Sequence, residues 1–272
     1  RMPNAPATCP ACGAPFSGGT RCLSCGKAVL MPEARTVDAH KRTVSLSPYS
    51  LRPGAVVAGR YEVRDLLGEG GMGEVYKAQD RSLDRLVCLK TLRPELLRDR
   101  TSAERFIREG KGLARVNHPG VVPVLDLGID GDVRFLVMEF VEGRSLSAVL
   151  REDGPLPPVR AARICAQVLD ALDAAHAAKL VHRDVKPANV MVQTQLGEDR
   201  ARVIDFGVAK LLDDGSPPLT TSNMVCGTPH YMSPELAMGQ PLDGRTDVYA
   251  VGIMLFELLA GALPFDDRSP VR

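Results

Sequence analysis

Two alternating apolar segments meet at a glycine-rich run, a pattern that predicts a strand–turn–strand. Tyr61 and Val63 precede the run, Val75, Tyr76 and Ala78 follow its start, and Gly68-Glu69-Gly70-Gly71-Met72-Gly73-Glu74-Val75 joins them. Period-two spacing is that of a half-buried strand, and Gly68, Gly70 and Gly73 let the two arms fold closely over a ligand without side-chain clashes. Alone, a G-x-G-x-x-G is a weak signal, because structural glycine turns outnumber phosphate sites. A further short apolar run, Leu86 to Leu89, leads into Lys90. The region reads as an antiparallel sheet.

Downstream the period changes. Residues 101–116 have helical spacing, opened by Thr101-Ser102-Ala103-Glu104 as a capping box. Helices are also predicted at 158–178, with Cys165, Leu169, Leu172 and His176 on one face, and at 244–260. Strands first and helices afterwards predict an α+β fold in two lobes, with no internal repeat. In the first helix, Phe106 and Leu113 place Glu109 on the apolar face. A carboxylate there is costly unless a cation pairs with it, and Lys90 is the expected partner.

The 272 residues suffice for one sizeable core and a small appendage, and a net charge of +1 carries no electrostatic footprint for nucleic acid. The longest apolar run, Val248 to Gly261, is short and contains Glu257, so it predicts a buried helix and not a membrane span. No signal-peptide pattern follows Met2. Seven cysteines, four of them clustered, fit a reducing compartment with a metal site, so a cytoplasmic location is expected. The cluster is Cys9-Pro10-Ala11-Cys12 and Cys22-Leu23-Ser24-Cys25, two C-x-x-C pairs that resemble a zinc ribbon. Four thiolates on two turns would hold one Zn2+ as a structural ion. Iron and a redox-active dithiol are the alternatives. The expected divisions are a zinc-ribbon-like module at 7–28, a flexible linker at 29–53 and a catalytic domain at 54–272.

Three further stretches follow the glycine run and Lys90 in order: His182-Arg183-Asp184-Val185-Lys186-Pro187-Ala188-Asn189, Asp205-Phe206-Gly207 and Ser233-Pro234-Glu235. Over roughly residues 54–268 the chain resembles the eukaryotic-like serine/threonine protein kinases of bacteria. The resemblance implies a sheet-rich N-lobe at about 54–138, a hinge at 139–142 and a helical C-lobe from 143. It also implies ATP and Mg2+ as cofactors and protein substrates with Ser/Thr acceptors. Lys90 would bind phosphate and pair with Glu109, and Asp184 would be the base. Asn189 and Asp205 would hold magnesium. Glu69, Gly71 and Met72 would complete the glycine loop over the phosphates, and Met138 would be the gatekeeper. The backbones of Glu139 and Val141 would meet adenine, with Leu67, Val75 and Met191 sandwiching it. Cys88 stands where the family usually has alanine, which narrows the adenine pocket slightly.

Lys186 after the aspartate is the serine/threonine form of the catalytic loop, and Thr228 is the matching substrate-site threonine. Arg183 beside Asp184 implies a phosphate-bearing activation segment, for which Thr220, Thr221 and Ser222 are the candidates. Self-association would serve phosphorylation in trans. The family pattern continues beyond Phe265-Asp266-Asp267, so the chain is expected to be a fragment with an incomplete C-lobe. A pseudokinase scaffold is the competing reading. Retention of Lys90, Asp184 and Asp205 opposes it, and a nucleic-acid-binding ribbon is opposed by the near-neutral charge.

Overall fold

The computed structural model describes residues 50–70, 73–92, 110, 112–206 and 229–265. The four cysteines of the N-terminal pairs, Gly71, Met72, Glu109, Gly207, Thr220, Thr221, Ser222 and Thr228 lie outside the described residues.

Six antiparallel strands form the first lobe: β1 (Val56–Val57), β2 (Tyr61–Gly70), β3 (Gly73–Asp80), β4 (Arg85–Leu92), β5 (Val124–Asp130) and β6 (Val133–Glu139), in the order β1-β2-β3-β4-β6-β5. Alternation sorts their side chains onto two faces. The outer face buries Tyr61, Val63, Tyr76, Ala78, Leu89 and Val137 in one cluster, with Tyr61 edge-on to Phe135 at 5.9 Å. The inner face presents Cys88, Leu136 and Met138 to the larger core, which continues into the helical lobe. Lys90 lies opposite Val75 on one side and Leu136 on the other, two positions beyond Cys88, so the cation emerges on this inner face.

The second lobe contains α1 (Leu146–Asp153), α2 (Pro158–Ala177), α3 (Pro234–Ala237) and α4 (Arg245–Ala260), and a small sheet of β7 (Arg144–Ser145), β8 (Val190–Gln195) and β9 (Glu198–Val203). Ser145 caps α1 by accepting from the Ala148 amide, and Pro158 opens α2 at a position that needs no amide donor. The predicted helices at 158–178 and 244–260 are therefore present within a residue at each end.

The predicted face of α2 needs correction. Cys165 and Leu172 are buried with Ile164, Val168 and Ala175, but Leu169 is 38% exposed. The buried stripe runs beside Leu169, because α2 packs against α4 and β9 with its small residues inward. Helix α4 is not uniformly buried either. Ala250, Met254 and Leu258 face the core, whereas Val248, Phe256 and Leu259 are exposed. Among the described residues no helix is long and apolar enough to cross a membrane.

Candidate active site

The chain between α2 and β8 is built around one buried carboxylate on α4. Asp247 is 1% exposed, and its two oxygens accept the backbone N–H groups of His182 and Arg183, each at 2.8 Å. His176 on α2 donates to the same carboxylate from Nε2 at 2.8 Å. These bonds hold the loop in a turn that puts Arg183 at φ 64°, a conformation few non-glycine residues adopt without support.

His182 lies next to that anchor, fully buried, with its ring 4.6 Å from that of Phe206 and tilted by 46°. Its Nε2–H donates to the Ile204 carbonyl at 3.0 Å, while Nδ1 accepts from the Asp184 N–H at 3.2 Å. Both nitrogens are thus committed to one neutral tautomer. Burial lowers the pKa of this imidazole, against the opposing pull of Asp247, Asp184 and Asp205.

Asp184 leaves this turn with its carboxylate held from two sides. Lys186 Nζ donates to Oδ2 at 2.9 Å, and Asn189 Nδ2 donates to the same oxygen at 3.1 Å and to the Asp184 carbonyl at 2.7 Å. With its nitrogen so engaged, the oxygen of Asn189 is the end of the amide suited to a cation. A 3₁₀ turn at Pro187–Asn189 then delivers the chain to β8.

Asp205 lies two residues beyond the end of β9, with φ 57°. Its Oδ1 accepts from Lys90 Nζ at 2.7 Å, which joins the inner face of the first lobe to the second. Lys90 with Asp205, and Asp184 with Lys186 and Asn189, thus form two bonded groups, and the Ile204 amide, one residue before Asp205, donates to the Asn189 carbonyl at 3.0 Å. A carboxylate and an amide oxygen are the hard ligands that Mg2+ selects, with phosphate oxygens and water completing its shell. The donor set fits that ion.

The residues expected around adenine are apolar. Met138 and Val141 are buried, and Cys88 and Met191 pack against the same cluster. Burial pushes the Cys88 thiol up to about 12, so it stays protonated and behaves as a small apolar group. Leu67 is half exposed on the outgoing arm of the glycine hairpin. Glu139 ends β6, and its carboxylate takes a bidentate pair from Arg202 at 2.5 and 2.9 Å, with its pKa lowered by that guanidinium. Arg202 itself pairs with Met191 across β8 and β9. Tyr231 donates to Glu257 of α4 at 2.5 Å, and both line an open cavity with Lys186, Pro187 and Ala188.

Sequence reasoning did not single out Asp247, His176, Arg202 or Tyr231 as site residues. Asp247 carried a usable signal, since it is an acid at the head of the apolar run Val248 to Gly261. The pairing of Arg202 with Glu139 had none, because the two are distant in sequence.

The protein-family model described as the protein kinase domain matches residues 61–271. The serine/threonine-protein kinase pkn3 of Myxococcus xanthus is 48% identical over 222 residues, covering 80% of this chain and 41% of that protein. PrkC of Bacillus subtilis, also named a serine/threonine-protein kinase, is 41% identical over 218 residues, covering 80% of this chain and 33% of its own. The chain thus spans about two fifths or less of the length of these relatives. Among solved structures, the kinase domain of Mycobacterium tuberculosis PknI is 35% identical with a TM-score of 0.65, covering 82% of each chain. The sheet-rich and helical lobes are those of the two-lobed protein kinase fold, and the chain belongs to the protein kinase domain family.

Proposed function

We propose that the protein is an ATP- and magnesium-dependent serine/threonine kinase that phosphorylates protein hydroxyls. The observation that supports this reading is that Lys90 bonds Asp205 at 2.7 Å while Lys186 and Asn189 both bond the Asp184 carboxylate. Bound magnesium and the triphosphate supply the electrophilic phosphorus and its charge neutralisation. Lys90 orients phosphate oxygens, and Asp205 with Asn189 holds the cation. Asp184 accepts or orients the proton of the attacking hydroxyl, while Lys186, already bonded to that carboxylate, offsets the charge developing beside it. Gly68, Gly70 and Gly73 let the hairpin close over the phosphates with Glu69, Gly71 and Met72. Adenine sits between Leu67, Val75, Cys88 and Met191, beside Met138, on the backbones of Glu139 and Val141.

The remaining roles extend the same reading. Glu109 pairs with Lys90 when the site is assembled. Thr228 contacts the acceptor side, and phosphate on Thr220, Thr221 or Ser222 is held by Arg183. Cys9, Cys12, Cys22 and Cys25 bind one structural zinc, and the protein works in the cytoplasm. The deciding experiment is incubation of the full-length protein with labelled ATP, magnesium and a generic protein acceptor. Label on serine or threonine supports the reading, and none on any acceptor or on the protein itself rejects it.

A further inference from the structure

The glycine hairpin stands on very little. Every residue of β2 from Arg64 to Gly70 is exposed, so the outgoing arm has no apolar core beneath it. On the returning arm the residue at the base of the loop is Glu74, which is only 6% exposed. Its carboxylate is held by two hydroxyls, Tyr76 donating to Oε2 and Ser50 to Oε1. The amide of Leu51 closes the ring by donating to the Tyr76 oxygen at 2.8 Å. Burial and the neighbouring carboxylate raise the pKa of Tyr76, so the phenol remains a donor. A buried acceptor that loses a donor keeps the cost of its desolvation without the bond that offset it.

The backbone on this arm has no slack on its other side. A Cβ at Gly73 would collide with the Thr91 carbonyl, and Thr91 Oγ1 donates to the Glu74 carbonyl at 3.3 Å. The arm is thus gripped by β4 through its backbone and by Ser50 through the Glu74 side chain. Ser50 belongs to the segment that leads into the catalytic domain, ahead of β1.

We propose that Ser50 is a positioning residue for the phosphate-covering hairpin, setting through Glu74 how the glycine loop sits over the nucleotide. This role takes its ligand from the kinase reading above, whereas the anchor itself is a property of the fold. In the full-length protein, Ser50→Ala raises the ATP KM, and the Kd of a non-hydrolysable ATP analogue, roughly three- to tenfold, with kcat changed less than about twofold. Ser50→Thr, which keeps the hydroxyl, restores both. Amide exchange over Glu74–Tyr76 quickens in Ser50→Ala and not in Ser50→Thr, and adding Ser50→Ala to Glu74→Gln causes no further loss. An unchanged Kd overturns the proposal, whether or not the melting temperature falls, because a purely structural serine would lower stability without moving nucleotide affinity. If the wild type binds no nucleotide, the kinase reading fails instead, and the exchange difference alone decides whether Ser50 anchors the hairpin.

Discussion

Asp184 has Lys186 and Asn189 on one carboxylate oxygen, so replacing it by asparagine removes the proton acceptor while leaving the nucleotide's own contacts in place. Asp184→Asn is expected to lower kcat about 10²–10⁴-fold, with the Kd for Mg-ATP within roughly threefold of wild type. Rapid-quench kinetics and calorimetry on one preparation check both halves. The buried His182 makes a different kind of statement. Its folded pKa is depressed, so below the unfolded value of about 6.5 the unfolded chain binds a proton that the folded chain refuses. The stability it contributes is complete above that pH and is lost as pH falls toward the folded pKa. Melting temperature should therefore drop between pH 7.5 and 5.5, and the drop should shrink in His182→Gln even though that variant is less stable throughout. A drop of equal size in both proteins would assign the titration elsewhere.

Helix α4 reaches into the catalytic loop through Asp247, which receives two loop amides and the His176 ring. Asp247→Ala leaves those donors unsatisfied in a buried place and is expected to cost about 2–4 kcal/mol in urea unfolding, with kcat falling as well. The clamp between β6 and β9 is more exposed. Glu139→Gln or Arg202→Met should each cost less than about 1 kcal/mol at physiological salt. Periodicity made β2, β3, β4, α2 and α4 readable from the chain, and the ordered motifs singled out Lys90, Asp184, Asn189 and Asp205, of which Lys90 bonds Asp205 and Asn189 bonds Asp184. It could not tell which residues share a bond across lobes. Arg202 looks like any polar residue of an alternating strand, and Ser50 like any hydroxyl in a polar segment, until β9 brings the one to Glu139 and the first sheet brings Glu74 to the other. Leu169 misled for the same reason, since helical spacing gives the apolar stripe and not the neighbour that covers it.

At the scale of the molecule, the described residues form two lobes whose direct polar links include the Lys90–Asp205 and Glu139–Arg202 pairs. The segment of residues 7–28 is proposed as a metal module, so elemental analysis of the full-length protein should find about one zinc per chain, falling when Cys9 or Cys22 is replaced by serine. The two halves of the cleft are also supported unequally. The catalytic loop is tied to the centre of the helical core by Asp247, whereas the glycine hairpin has seven consecutive exposed residues on one arm. Local opening follows such differences in burial. Warming the enzyme should then raise the ATP KM well before kcat declines, and an inhibitor that gains its affinity from the hairpin should weaken with temperature faster than one seated on the catalytic loop.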